Sequence, residues 1–153
     1  TPDALPEVLA DTSVAAFEKY GVLSRRELDS RFEVWLEQYV LQANIEAETT
    51  ASIARTLLLP AALRHLTMVV AAGVSELEGE TRGLIDELIA AITDLESANI
   101  HPDDTEGLEL AIYARDSQLA AMIQVREVAD KLEKVVADDL WPLPKYSEML
   151  FIK

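Results

Sequence analysis

SRRELDSRFEVWLEQYVLQANIEAETTASIARTLLL, residues 24–59, contains neither Gly nor Pro and opens on a complete helix-start signal. Ser24 and Glu27 stand three apart as a capping box, each side chain placed to satisfy a backbone N–H at the helix start, and Leu23 is positioned to staple onto Leu28. Leu28, Phe32, Trp35, Tyr39, Ala43, Thr50, Ile53 and Leu57 recur at spacings of three and four, or sums of these, which predicts one long helix with a broad apolar stripe. At about 1.5 Å per residue the run would reach roughly 54 Å. A compact sphere of this chain length would be about 38 Å across, so an elongated domain is expected. A break near Asn44 would shorten the helix, and the pattern leaves that open. Pro60 lacks the ladder N–H and clashes with the preceding turn, at about 3 kcal/mol in an undistorted helix interior. It predicts a kink or a junction, with helix resuming to about Leu77.

Working outward, residues 1–22 read as a lead-in segment with short helices: Pro6 suits a first helical turn, Ser13 is placed to cap VAAFEKY, and Gly21 supplies the left-handed residue that ends it. On the other side, Gly79 and Gly83 are expected to flank a turn. Ile85, Leu88, Ile92 and Leu95 then form a second helix to about Asn99. NIHPDD reads as a turn with Asp103 or Asp104 as the next N-cap, and a third helix is expected from about Thr105 to Asp138. It carries two apolar seams, one through Leu108, Ile112, Leu119 and Met122, the other through Ala121, Val125, Val128, Leu132 and Val135. Two seams imply two partners, as in the middle of an antiparallel bundle. Pro142 and Pro144 forbid continuation, so residues 141–153 are expected to form an irregular tail, docking through Trp141, Tyr146, Leu150 and Phe151. The fold class is therefore all-α: an elongated antiparallel bundle over residues 23–140, with a long, Pro-kinked first helix.

Composition supports this. Half of the 153 residues are apolar, Gly and Pro number five and six, and Ala, Leu and Glu abound, which favours helix over strand. There is no cysteine, so disulfides and thiolate metal sites are excluded. The formal net charge is −15, and it is concentrated in residues 66–110, where eleven acidic residues face one basic residue. Such a field repels phosphate backbones, so no nucleic-acid partner is expected. TPDALPEVLADTS has neither the basic nor the apolar region of a signal peptide. The apolar stretch of residues 57–74 is interrupted by Pro60, Arg64 and His65, leaving uncharged runs too short for a bilayer. A cytoplasmic protein with no membrane partner is the expectation.

Catalytic, cofactor-binding and metal-site residues are all expected to be none. A di-iron bundle needs Glu-x-x-His, but Ala62 and Ala98 stand three residues before His65 and His101. His65 reads as a half-buried structural residue and His101 as an exposed turn residue. There is no Gly-x-Ser-x-Gly, and the pair Gly79 and Gly83 makes no phosphate loop. Arg31, Glu37, Glu46, Glu48 and Arg55 lie on or beside the apolar stripe of the long helix. Glu27 with Arg31, and Glu48 with Arg55, are the candidate ion pairs, as surface pairs or clasps to another domain.

Three blocks, FEKYGVLSRRELDSR, EVWLEQYVLQANIEAETTASIARTLLLPAALRH and REVADKLEKVVADDLWPLPKYSEMLF, resemble the C-terminal helical region of type III glutamine synthetases. The resemblance implies ATP-dependent ligation of ammonia to glutamate through a glutamyl phosphate, in large homododecamers of two hexameric rings that require Mg²⁺ or Mn²⁺. It also implies that metal, nucleotide and glutamate sites lie in other domains of the same polypeptide, with the catalytic domain as partner and residues 1–11 as the link to it. The competing expectation is a free-standing acidic helical adaptor that binds partner helices along its groove.

Overall fold

The computed structural model describes residues 1–150, apart from the side chains of Tyr146 and Ser147. Every regular element among these residues is helical. Leu5–Leu9 forms a 3₁₀ turn with Pro6 in its first turn, and α1 spans Asp11–Lys19. Its N-cap is Ala10 rather than Ser13. The Ser13 hydroxyl instead donates to the Glu7 carbonyl at 2.8 Å, tying α1 to the 3₁₀ turn. Gly21, at φ 62°, ends this segment in the left-handed conformation.

The capping box forms as its spacing requires. Glu27 N–H donates to Ser24 Oγ, and Ser24 N–H donates to Glu27 Oε2 at 2.8 Å. From there α2, Arg25–Ile53, runs through a π turn, Ala54–Leu58, into α3, Leu59–Ala72, as 48 residues of unbroken helix. That corresponds to about 72 Å. No break occurs at Asn44. The junction expected at Pro60 is the π turn just before it: Leu59 N–H reaches back five residues to the Ala54 carbonyl. One extra residue in the turn relieves the clash that the Pro60 ring would otherwise make with the carbonyl four residues earlier. By length and composition alone this helix could cross a membrane; one of its faces supplies the bundle's central seam.

That seam matches the expected stripe only at Leu28 and Ala43, which are buried. Leu36, Val40, Ala43, Ala47, Ala51, Ala54 and Leu58 are buried, at spacings of four, three, four, four, three and four. Phe32, Trp35, Tyr39, Thr50 and Ile53 are half-buried on its flanks, and Leu57 is exposed. Alanines on the seam let neighbouring helices approach closely, which pushes the larger residues to the edges.

Two boundaries also move. Helix α3 ends at Ala72, not Leu77, because Gly73 adopts φ 72° and closes the helix with its N–H on the Val70 carbonyl. Helix α4 starts at once, Ser75–Ala98, so Gly79 and Gly83 lie inside it rather than at a turn. After the connection of residues 99–106, where Asp104 has φ 61°, α5 (Gly107–Tyr113), a π turn (Ala114–Leu119) and α6 (Ala120–Val135) form one helical run. Its N-cap is Glu106, not Asp103 or Asp104, and Asp138 belongs to a separate 3₁₀ turn, Asp138–Leu140. The run does meet two partners, but end to end: α5 and the π turn pack on α2, and α6 packs on α4.

The main core joins Leu88, Ile92 and Leu95 of α4 to Val125, Val128 and Leu132 of α6 and to the alanine seam. A smaller cluster gathers Leu36, Val40 and Ala111, with Leu5 and Phe32 against it. The tail is less irregular than expected. Trp141 and Leu143 pack on the main core, and Glu148 accepts the Lys145 N–H at 3.0 Å to open α7, Tyr146–Leu150. Leu150 is exposed rather than docked, and the Tyr146 side chain and Phe151 lie outside the described residues.

Candidate functional site

Three features stand out from an ordinary bundle: exposed apolar side chains on α3, an acid-rimmed groove on α2, and a buried polar junction that joins α2 and the π turn Ala114–Leu119 to the 99–106 connection.

The sequence of α3, LPAALRHLTMVVAA, holds a single permanently charged residue, Arg64. A helix that is apolar all round is normally buried all round, yet only Ala61, Ala62 and Val69 are buried here. Leu63, Met68 and Val70 are exposed, at 46%, 55% and 43%, and Leu57, Val74 and Leu77, also exposed, lie just beyond either end in sequence. Exposed apolar side chains in this number suit a contact site.

The groove follows α2 from Glu33 to Asn44. Leu36, Val40, Leu41 and Leu110 give it apolar walls, Glu33, Glu37 and Glu106 its rim, and its volume is about 670 Å³. Of the apolar wall residues, Leu41 stands 60% exposed.

Behind it, Asn44 Oδ1 accepts from Gln118 Nε2 at 2.9 Å, and His101 Nε2 lies 2.9 Å from the same oxygen, donating in the tautomer protonated there. His101 is therefore half-buried and anchored, not an exposed turn residue. The Tyr113 ring meets it edge-on, and the Tyr113 hydroxyl donates to the carbonyls of Ala98 and Ile100 at 3.1 and 3.3 Å. Gln118 is 1% exposed, and its Oε1 has no partner among the described residues. Asn44 and Gln118 gave no sequence signal, because 74 residues separate them and neither belongs to a spaced motif.

The expected ion pairs are rearranged. Arg55 reaches across to α4 and grips Glu96 through two bonds of 2.6 Å, instead of Glu48 on its own helix. Glu96 is held below the usual carboxylate range chiefly by the Arg55 hydrogen bond. Glu27 is also held low, first by the Ser24 backbone N–H and then by its hydroxyl; Arg31 is a lesser cause and forms no ion pair with it among the described residues. Arg115 ties the N-terminus down, donating to Asp3 at 2.5 Å and to Asp116 at 2.6 Å. Burial pushes the nearby Tyr39 hydroxyl above its usual range. His65, half-buried, accepts the Ala137 N–H on Nδ1 at 3.3 Å, the structural role expected of it. Among the described residues no group of three or more His, Cys, Asp and Glu side chains is placed to hold a metal ion.

What these features define is an all-helical domain with exposed apolar side chains and a buried polar junction. The family model of the glutamine synthetase C-terminal domain matches residues 1–77. The chain belongs to that family. It is 28% identical to a type-3 glutamine synthetase of Dictyostelium discoideum, over all of this chain and 23% of that protein. It is 29% identical to a glutamine synthetase of Butyrivibrio fibrisolvens, over 98% of this chain and 24% of the relative. A glutamine synthetase of Bacteroides fragilis is 25% identical over 99% of this chain and 24% of its own length. The chain thus spans about a quarter of the length of the curated relatives it matches.

Proposed function

We infer that this chain is the non-catalytic helical domain of a type III glutamine synthetase and that the outer face of α3 packs on the catalytic domain of the same polypeptide. The parent reaction is ATP-dependent ligation of ammonia to glutamate, with ATP and Mg²⁺ or Mn²⁺ held outside these residues, in a cytoplasmic homo-oligomer. The observation that carries this reading is the apolar surface of α3, which lies wholly within residues 1–77, where the family model matches. Incubated alone with glutamate, ammonia, ATP and Mg²⁺, the chain makes no glutamine; clear turnover would refute the reading. Deleting residues 24–153 from the parent, followed by sizing and assay, separates a role in assembly from a direct effect on catalysis.

The adaptor alternative draws support from a different feature, the acid-rimmed groove on α2. As a property of the domain it does not require a free-standing protein.

A further inference from the structure

We propose that the groove along α2 receives a basic amphipathic helix from a separate polypeptide. Glu33, Glu37, Leu41 and Asn44 form a row along one side of α2, covering about three turns, or roughly 16 Å. Leu36, Val40 and Leu110 supply apolar walls beside it. A helix of about eleven residues matches that length, and helix-in-groove recognition reads anchors at this spacing.

The charge of the occupant follows from the rim. The side chains of Glu33, Glu37 and Glu106 make no ion pair or hydrogen bond among the described residues, whereas Arg55, Arg82, Arg115 and Lys131 are each already paired with carboxylates elsewhere on the surface. Lys or Arg on the occupant complements the rim and is drawn in electrostatically. The occupant is a peptide rather than a bare cation, for two reasons. The walls offer apolar side chains a place to bury, and Asn44, with its oxygen committed to Gln118 and His101, leaves its amide nitrogen as a donor for a backbone carbonyl.

The source follows from charge. A chain with a formal net charge of −15 repels a second copy of itself, so the occupant is a polypeptide of opposite charge. This inference does not depend on the parent reaction.

The test uses the 153-residue chain and a fluorescein-labelled amphipathic Leu/Lys helix of about fourteen residues, read by anisotropy. Its controls are a scrambled peptide of the same composition and a Leu/Glu helix with the same pattern. The Leu/Lys helix binds, and neither control does. E33K/E37K and L41D each weaken binding at least about tenfold, equivalent to about 1.4 kcal/mol. Raising the salt weakens it too. L63D, on the α3 face, leaves the affinity unchanged. Circular dichroism confirms that each variant is folded. Failure of the Leu/Lys helix to bind, equal binding of the scrambled peptide, or binding lost in L63D but kept in E33K/E37K would overturn the proposal. None of these results bears on the glutamine synthetase reading, which is tested by turnover and by the α3 face.

Discussion

Residues 1–77 and residues 78–150 divide the physical work of this domain unequally. The first part carries eleven of the sixteen large hydrophobic residues exposed among the described residues, running from Tyr20 to Leu77. Beyond residue 77 the chain holds seventeen acidic residues against seven basic ones, and α4 and α6 contribute the largest side chains of the main core, Leu88, Ile92, Leu95 and Leu132. The second part therefore completes the fold and presents charge to solvent, while the first part completes the same fold and still keeps apolar surface in reserve. A segment that uses one face for its own core and leaves another apolar is built for a second contact. That contrast, rather than any single residue, supports the proposed contact.

The sharpest way to break the contrast is to compare a core position with a face position. Leu88→Ala, at a fully buried site, should cost about 2–5 kcal/mol in urea denaturation, whereas Met68→Asp on α3 should stay within about 0.5 kcal/mol. Equal costs would mean that the α3 face is already engaged within this domain. The reversal between the two parts gives the next largest effect. Gly73→Ala places a Cβ at φ 72°, where nothing crowds it but the backbone itself is strained, and should cost about 1–2 kcal/mol. Gly79→Ala and Gly83→Ala also meet open space, but inside α4, and each should stabilise by about 0.5–1 kcal/mol. If the turn lay at residues 79–83 instead, these signs would exchange.

Removing the cap at the start of α2 is a smaller change. Ser24→Ala should cost about 1 kcal/mol at neutral pH. The carboxyl of Glu27 is held below its usual range in the folded state, so its contribution is fully present above the unfolded value and is lost as the pH falls through the folded one. The gap between wild type and Ser24→Ala should therefore be widest near neutrality and narrow in acid, as followed by thermal melts across that range. Arg55→Ala is expected to have the least effect. It breaks a surface clasp between the two parts, and the small drop in melting temperature should vanish at about 1 M salt.

Helical class, the start of α2 and the core face of α4 were legible in the sequence, because a capping box and a three-four apolar period are local signals with one structural solution. The buried face of α2 was legible only at Leu28 and Ala43. Counting large apolar residues also favoured Phe32, Trp35 and Tyr39, whereas close packing extended the line from Ala43 through Ala47, Ala51 and Ala54, and size alone does not show which face a neighbour will approach. The turn at Gly73 was hidden for a related reason: one glycine followed by Val74 is a weaker local signal than the pair Gly79 and Gly83, yet only Gly73 takes the left-handed conformation. Of the surfaces, the apolar character of α3 was visible, but weighed only against a membrane span. The Asn44, His101 and Gln118 junction and the partner of Arg55 depend on residues brought together from distant parts of the chain, and no spacing rule reaches that far.

The most direct test of the account is oxidative footprinting of Met68. In the isolated chain Met68 is 55% exposed and should oxidise readily. In the full glutamine synthetase polypeptide, if α3 packs on the catalytic domain, its oxidation should slow severalfold. An unchanged rate in the full polypeptide would contradict the central claim that this apolar face is the domain's contact with the enzyme.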